Sequence, residues 1–448
     1  MANYAKKIIQ AAMAKRYDEA VAHVYSYRTS YLKIANSKVD SIVTKDEESG
    51  SLFVSSKKRV FHTNIDRLSD SSIAAALRVA GANINGLQSK DDYNGIAQGP
   101  FKYAKEAGCD AKIVNYDNDL LCDVAYTAIN SALDAGADNV AGTLIMSASK
   151  STLSTSKDVN EEEESAYARL SLRTFVKGFS AQNVTAAKRL KDLKPEGFAS
   201  STAELAGMAT KTGRISSGKY DVIYMQQPSG ALFSMVNEMA CIGNVETGGF
   251  LTGKLGKEIA HKSLTIYDDG GNPGLMSTSR FDEEGHPTQR TALVGDGKLL
   301  TYLHNNSTAI KYKTKSTGNA GLILPSPNVS VIKHDKKIGK LDDLIRRVDK
   351  GILVTNTWYT RFSNYLSGDF STVPRDIAIY IEKGSPKFAI KQVDVGSATG
   401  IRVSENIIRM MKNVECSAND SIQTASWDAD GYFVTPSVLV SGVSVTTA

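Results

Sequence analysis

The chain has 448 residues, of which 42% are hydrophobic and 23% charged, which is ordinary for a globular protein and enough for two domains with sizeable cores. The formal net charge of +5 is small and is not concentrated in one half or in a tail, which argues against nucleic-acid binding. No apolar run is long enough to span a membrane, and the N-terminus carries no signal-peptide pattern. The four cysteines lie far apart without a Cys-x-x-Cys pair, which predicts free thiols and a cytoplasmic location.

The first half of the sequence predicts an N-terminal α+β domain with antiparallel strands. An Ala-rich segment at 4–15 predicts a first helix, and capped apolar patterns predict two stronger helices at 70–81 and 120–135. Strands are predicted at 20–27, 30–36, 39–43 and 51–54, and again at 141–149, 151–156 and 166–176. The acidic segments 45–50 and 159–165 are interpreted as polar turns between these strands.

The second half predicts a strand-rich C-terminal domain. The boundary is placed in the Lys-, Gly- and Ser-rich stretch near 195–220, which gives domains at 1–205 and 206–448. The apolar run 231–242 predicts one buried helix ended by Gly243. Residues 264–274 predict a strand that runs into an acidic Gly/Pro turn, and 291–302 predict two short strands joined around Gly295 to Gly297. Further helices are predicted at 202–210, 341–348 and 404–413, and further strands at 351–359, 376–382, 388–392 and 431–440.

Six short motifs follow one another in the central part of this second half. They are Asp268-Asp-Gly270, Pro273-Gly274, Asp282-Glu-Glu-Gly285, Pro287-Thr-Gln-Arg290, Asp296-Gly297 and Ser316-Thr-Gly-Asn319. In this order and at this spacing, the sequence resembles the TldD/PmbA family, once described as modulators of DNA gyrase and now understood as peptidases and their partners. The resemblance implies an N-terminal α+β domain followed by a strand-rich TldD/PmbA-type domain.

The family resemblance also distinguishes between two branches. TldD-type members carry a His-Glu-x-x-x-His zinc motif before the acidic turn and a metal-binding Cys near the C-terminus, because imidazoles and a thiolate hold zinc while the carboxylate acts as base. Here Asn237 and Ile242 stand at the two histidine positions, Glu238 is retained, and Ala425 stands at the cysteine position. Loss of all three ligands resembles the zinc-free PmbA (TldE) branch, which implies no catalytic residue, no metal and no cofactor in this chain.

The sequence also contains two other possible metal arrangements. Glu238 and Cys241 are three residues apart and could share a helical face, but a free cysteine more often behaves as a small buried hydrophobe. The acids of the two turns could bind a hard cation, although such loops more often use their carboxylates to cap turns; these acids are Asp268, Asp269, Asp282, Glu283 and Glu284. The isolated residues His23 and His62 are interpreted as structural.

The resemblance implies a binding subunit that pairs with a TldD-like protease in a heterodimer and helps it degrade unfolded peptides; a homodimer is left open. Main-chain hydrogen bonds in the turn segments could hold an extended peptide. The candidate residues of this peptide groove are Asp268, Asp269, Gly270, Gly274, Asp282, Glu284, Gly285, Thr288, Arg290, Ser316, Thr317, Gly318 and Asn319. The alternatives are an independently active peptidase, which no Ser-His-Asp or Cys-His pattern supports, and a modulator of DNA gyrase or nucleic acid, which the even charge distribution disfavours.

Overall fold

The computed structural model describes residues 2–104, 108–390, 400–426 and 431–447. In the first half the helices are α1 (Ala2–Ala14), α2 (Asp70–Asn83), α3 (Ala111–Val114), α4 (Asn118–Asp134), α5 (Leu190–Leu193) and α6 (Pro195–Gly207). The strands of that half are β1 (Glu19–Ala35), β2 (Lys38–Ser56), β3 (Arg59–Ile65), β4 (Asn139–Thr155), β5 (Asn160–Val176) and β6 (Phe179–Ala187). They form one antiparallel sheet in the order β3-β2-β1-β4-β5-β6.

The predicted polar turn at 45–50 is wrong, because this segment lies inside the 19-residue strand β2. The chain reverses instead at Asn36 and Ser37, whose φ angles of 51° and 58° suit the tight turn of a hairpin. The two strands predicted at 20–27 and 30–36 are correspondingly the single strand β1. The exposed acids of β2 are held by the hydrogen-bonded pairing with β1 rather than by burial, so the hydrophobic pattern does not reveal them as a strand.

The acidic turn predicted at 159–165 is wrong for the same reason. Glu161 to Glu164 belong to the first part of β5 and pair with Leu153 to Lys150 of β4. The strands predicted at 141–149 and 151–156 are one strand, β4. The reversal falls before Val159, where Asp158 has a φ of 60°. The acidic segment is therefore part of a strand, and its residues Glu161 and Glu163 contact Ser279 and Arg280 of the second half.

The helices of the first half lie against one sheet and build two cores. Residues of α1 and α2 pack with β1 and β2, and residues of α4 and α6 pack with β4 and β5. The predicted start of the second helix is confirmed, since the Ser69 side chain accepts a hydrogen bond from the Ser72 N–H. Its predicted end at Gly81 is wrong: the helix continues to Asn83 and brings Ile84, which is 2% exposed, into the core.

The second half contains six helices and sixteen strands within the described residues. The helices are α7 (Gln226–Phe233), α8 (Met235–Ala240), α9 (Ile242–Glu246), α10 (Asn306–Lys311), α11 (Leu341–Arg347) and α12 (Ile407–Lys412). The strands are β7 (Thr212–Gly213), β8 (Gly218–Tyr224), β9 (Leu264–Asp269), β10 (Arg290–Gly295), β11 (Lys298–Leu299), β12 (Ser330–His334), β13 (Lys350–Val354), β14 (Thr357–Asn364), β15 (Asp369–Pro374), β16 (Ala378–Glu382), β17 (Ser385–Ile390), β18 (Ile401–Asn406), β19 (Val414–Ser417), β20 (Ile422–Ala425), β21 (Tyr432–Thr435) and β22 (Val438–Thr447).

These strands form two sheets. A six-stranded sheet has the order β11-β10-β9-β12-β21-β20, and a ten-stranded sheet has the order β14-β15-β18-β22-β8-β13-β16-β17-β7 with β19 beside β22. The predicted α+β class with a strand-rich second half is confirmed. None of the helices in the described part of the chain is long and apolar enough to cross a membrane.

The single helix predicted at 231–242 is wrong, because the segment is divided among α7, α8 and α9. Cys241 takes extended backbone angles (φ −60°, ψ 126°) between α8 and α9. The break makes room for a short parallel bridge: Leu303 N donates to Ala240 O (2.9 Å) and Ile242 N donates to Leu303 O (3.1 Å). Gly243 therefore lies inside α9 rather than at a helix end.

Other predictions for the second half are confirmed with shifted bounds. The strand before the acidic turn is β9, and Asp296 and Gly297 join β10 to β11 with φ angles of 48° and 75°. The helix predicted at 202–210 is α6, and only 407–412 of the segment 404–413 is helical. The predicted last strand is divided by Pro436 into β21 and β22, which lie in different sheets. Of the hairpin predicted around Gly384, residues 391 and 392 lie outside the described residues.

The two halves contact each other along a seam. Thr424 Oγ1 of β20 donates to the Val184 carbonyl of β6 (2.5 Å), and Gln423 Nε2 donates to the Ala186 carbonyl (3.0 Å). One apolar cluster also contains residues of both halves, among them Ala181 and Leu205 with Ile223. The division into 1–205 and 206–448 stays a prediction, and its boundary falls in the last turn of α6.

Candidate functional site

Asn237 occupies the position of the first expected zinc-binding histidine. Its side chain is buried on α8, and its Nδ2 donates to the Tyr267 carbonyl (3.1 Å) and to Asp268 Oδ1 (3.3 Å). Asn237 thus ties α8 to β9. An amide that donates to a neighbouring carboxylate and carbonyl holds the backbone together and supplies no imidazole for zinc.

Two other positions of the degenerate zinc motif are occupied by apolar residues of the core. Ile242 and Ala425 are 1% and 0% exposed. Glu238 is exposed, whereas Cys241 is buried with its Sγ 3.6 Å from the Asn237 carbonyl. Burial raises the pKa of the Cys241 thiol, and the charges of Glu238 and Asp268 add to this effect. Because Glu238 lies in solvent and Cys241 in the core, the two do not form the alternative metal pair considered from the sequence.

No three His, Cys, Asp or Glu side chains are grouped to hold a metal ion within residues 2–104, 108–390, 400–426 and 431–447. Cys122, Cys241 and Cys416 are free thiols.

Asp268 is fully buried and is the centre of a hydrogen-bond network. Its Oδ1 accepts from Asn328 N (2.7 Å) and from Asn237, and its Oδ2 accepts from Asn319 Nδ2 (2.7 Å) and Asn328 Nδ2 (2.9 Å). Burial raises the pKa of this carboxyl group, and the amide donors oppose that rise. Asp268 therefore joins α8, β9 and the loop at 316–328 into one unit.

Asp282 and Glu284 are two buried carboxyl groups in the second acidic turn. Glu284 Oε2 accepts from the Ala97 and Asn306 N–H groups, both at 3.2 Å. Asp282 accepts from three backbone N–H groups, those of Glu284, His286 and Ala320, at 3.0, 2.9 and 2.9 Å. Burial raises the pKa of Asp282 to about 7, and burial followed by the charge of Asp282 raises the pKa of Glu284 well above its ordinary value. The turn is thereby fastened to a loop of the first half through Ala97.

Glu283, between these two acids, contacts the N-terminal sheet. Its Oε2 lies 2.8 Å from His23 Nδ1, which is also 2.5 Å from the Tyr25 hydroxyl. Burial raises the pKa of Glu283, but the hydrogen bond and charge interaction with His23 outweigh it, so the pKa is lowered. His23 is therefore a buried residue with a specific carboxylate partner rather than an isolated one.

The groove candidates Ser316, Thr317 and Gly318 also stabilise the conformation of the loops. His304 N donates to Thr317 Oγ1 (2.8 Å), and Ser316 Oγ donates to the His304 carbonyl (3.4 Å). Gly318 has a φ of 67°, and a side chain there would meet the Pro287 carbonyl at 2.4 Å. The Gly285 carbonyl accepts from the Tyr103 hydroxyl (2.7 Å).

Arg290 covers the acidic turn from outside. Its guanidinium lies over the Tyr267 ring at 3.9 Å, and its Nε is 3.7 Å from Asp269 Oδ2. Burial raises the pKa of Asp269, and Arg290 opposes this rise.

A cavity of about 1250 Å³, here called the central cavity, lies along the seam between the two halves. Residues of β5, β6 and α6 form one wall, and the loop at 270–288 with β20 forms the other. Gly270, Gly274 and Thr288 are the groove candidates that line it, while the remaining candidates do not. Most of the groove candidates therefore do not line the cavity.

The structure adds lining residues that the sequence did not single out. Glu163 on β5 accepts hydrogen bonds from the Ser279 hydroxyl and from Arg280 N (3.0 Å). Lys188 and Asp420 line the same cavity from opposite halves. No local sequence pattern marks these residues, because what distinguishes them is their contacts with the other half of the chain. The one available signal was the acidic run at 161–164, which requires cationic or hydrogen-donating neighbours.

Residues 217–447 match a family model described as the PmbA/TldA metallopeptidase C-terminal domain. Because this match covers more than half of the chain, the chain belongs to the PmbA/TldD family, as its motifs indicated.

Several known proteins are similar to this chain. The chain is 26% identical over 361 residues to an uncharacterised protein of Methanocaldococcus jannaschii, covering 79% of this chain and 80% of that protein. It is 25% identical over 265 residues to the metalloprotease PmbA of Escherichia coli O157:H7, covering 58% of this chain and 54% of the relative. The match thus spans about half of that metalloprotease. Among solved structures, TldE from Thermococcus kodakarensis shares the fold with a TM-score of 0.83, 19% identity, and coverage of 99% of this chain and 100% of that one.

Proposed function

We propose that this chain is a zinc-free, TldE-like subunit that pairs with a TldD-like metalloprotease and helps it bind and degrade unfolded peptides in the cytoplasm. The observation that carries the proposal is the environment of Asn237. At a position where the family resemblance expects a zinc ligand, this residue is buried and its amide nitrogen holds Asp268 and the Tyr267 carbonyl. The motif helix therefore serves the framework of the loops, and hydrolysis falls to the partner.

In this role the chain supplies part of the peptide-binding surface. Gly270, Gly274 and Thr288 contact the peptide from the wall of the central cavity. The buried candidates around Asp268 and Asp282 hold these loops in place, because their carboxylates are already engaged by backbone and side-chain donors. The subunit contact with the partner buries well over about 1,000 Å² if it is stable.

The test is to co-express this chain with a TldD-like protein, isolate the complex and measure cleavage of an unfolded peptide. The assay compares each chain alone with the complex. We expect no cleavage by this chain alone and faster cleavage by the complex than by the partner alone. Glu238→Ala in this chain leaves most of the rate, whereas replacing the zinc-site glutamate of the partner abolishes it. Cleavage by this chain alone, or a partner rate unchanged by its presence, contradicts the proposal.

A further inference from the structure

The central cavity contains a cation, Lys188, that makes no ion pair with the described residues. Lys188 directly follows β6, and its Nζ donates to the Thr278 carbonyl (3.2 Å) and the Thr278 hydroxyl (3.0 Å). No carboxylate of the described residues lies within 4.0 Å of this amine. An ammonium group has three N–H donors, so one is left beyond the two used by Thr278. Burial lowers the pKa of Lys188.

Glu163 is the carboxylate with the strongest effect on the pKa of Lys188, but it is hydrogen-bonded to other groups. The charge of Glu163 opposes the effect of burial, but both of its oxygens accept hydrogen bonds, one from the Ser279 hydroxyl and one from Arg280 N. Glu163 therefore fixes the loop at 278–280 against β5. The Lys188 amine is held in the cavity wall by neutral oxygens of the same loop.

Near β20, the cavity contains a carboxylate, Asp420, that makes no ion pair with the described residues. Asp420 accepts from Ser437 N (2.9 Å), Ser437 Oγ (2.7 Å) and Gln226 Nε2 (2.8 Å), which are all neutral donors. Among the described residues no Lys, Arg or His nitrogen lies within 4.0 Å of it. Burial raises the pKa of Asp420, and the hydrogen bonds from Ser437 oppose this rise. These three donors fix the orientation of the carboxylate.

The two charged groups lie within a few residues of one cross-link of the seam. Gln423 donates to the Ala186 carbonyl, and Asp420 is three residues before Gln423, while Lys188 is two residues after Ala186. Three extended residues span at most about 10 Å and two span at most about 7 Å. Both groups line the same cavity, so a single small molecule with one anionic and one cationic end can reach both.

We propose that the central cavity binds a short peptide of about two to four residues with free ends, its terminal carboxylate on Lys188 and its terminal ammonium on Asp420. This inference rests on the proposed function and deepens it, because it names the ligand class of the same cavity. Hydrolysis of a peptide bond creates one new carboxylate and one new ammonium group. The cavity therefore favours the short products of proteolysis over an uncut chain, whose ends are far apart and whose interior amides are neutral.

The test uses the purified chain alone and isothermal titration with three probes: trialanine, N-acetyl-trialanine and trialanine amide. Each charged end makes an ion pair in a partly buried site, so we expect blocking either end to weaken binding by about tenfold or more. Lys188→Met should bind trialanine and its amide equally while still discriminating against the acetylated peptide. Asp420→Asn should show the reverse pattern. Lys194→Met and Asp342→Asn, at exposed positions on the rim of the same cavity, should leave all three affinities unchanged.

Equal affinity of the wild-type chain for the three probes overturns the inference, as does no binding of trialanine up to about 10 mM. So does retention of both preferences in the two cavity variants. The comparison of blocked and free peptides on the wild-type chain needs no substitution, so it stays decisive if a variant fails to fold. Because the partner is absent, a negative result together with an active complex refutes only this inference. Binding of trialanine by this chain together with an inactive complex refutes only the proposed pairing with a TldD-like partner.

Discussion

Replacing Asp268 is expected to destabilise the second half of the chain more than any change on its exposed surface. Asp268 accepts four hydrogen bonds, and two of the donors have further acceptors: Asn319 also donates to the Ser326 carbonyl, and Asn237 also donates to the Tyr267 carbonyl. The N and Nδ2 groups of Asn328 have Asp268 as their acceptor. Asp268→Ala therefore leaves these two donors unsatisfied.

The size of the effect follows from these contacts. An unsatisfied donor in the interior costs about 1–3 kcal/mol, so two of them with the cavity left by the carboxyl group give a loss of about 3–5 kcal/mol for Asp268→Ala. Asp268→Asn keeps one acceptor oxygen but turns an amide group toward two amide donors. The Asn319 Oδ1 atom is buried without a partner and can turn to accept from the new amide. The expected loss for Asp268→Asn is therefore smaller, about 1–2 kcal/mol.

The measurement is urea unfolding followed by tryptophan fluorescence, because the two tryptophans, Trp358 and Trp427, both lie in the second half of the sequence. Glu238→Gln is the control, since Glu238 is exposed on α8, and its substitution should change the free energy of unfolding by less than about 0.5 kcal/mol. The reasoning is refuted if Asp268→Ala unfolds at the same urea concentration as the control, or if Asp268→Asn is the more damaging of the two.

Three further predictions concern titration, reactivity and the lost zinc motif. Because the folded state raises the pKa of Glu284, its contribution to stability is present at low pH and is lost as the pH rises through the folded pKa. Glu284→Gln should therefore gain stability over the wild type from pH 5 to pH 8, by about 1–2 kcal/mol, and an equal difference at both pH values in thermal unfolding would contradict this. Cys241, a buried thiol with a raised pKa, should resist iodoacetamide at pH 8 until the chain is unfolded, as peptide mass spectrometry can show. The triple variant Asn237→His, Ile242→His, Ala425→Cys should not become a chelator-sensitive protease alone, because Ile242 and Ala425 are packed in the core and Asp268, the carboxylate beside Asn237, is already engaged by Asn319 and Asn328. Efficient cleavage by this variant would show the reverse.

The local patterns of the sequence predicted the type of most elements but misplaced several turns. Residues 45–50 and 159–165 are acidic and exposed or half-exposed, which is typical of loops, yet both are strands held by long hairpin partners. A strand stabilised by its neighbours need not bury its own side chains, so the hydrophobic period does not detect it. The true turn at Asn36 and Ser37 is only two residues long and gives a weak composition signal.

The helix break at Cys241 could not be predicted for a different reason. The segment 231–242 is apolar in a helical pattern throughout, and the interruption comes from the bridge to Leu303, more than sixty residues away. Likewise, the ordered motifs identified the family but not the role of each residue. Asp268, Asp282 and Asn319 are buried and do not line the central cavity, whereas Lys188 and Asp420 do. A contact across the seam leaves no trace in the sequence near either partner.

The most direct test of the account is peptide cleavage by the isolated chain, by a TldD-like partner and by their purified complex, with the zinc content of each measured in the same samples. The account predicts no stoichiometric zinc and no cleavage for this chain alone, and it predicts zinc in the partner and the highest rate for the complex. About one zinc per copy of this chain, lost together with cleavage on replacing Glu238 or Cys241, would contradict it.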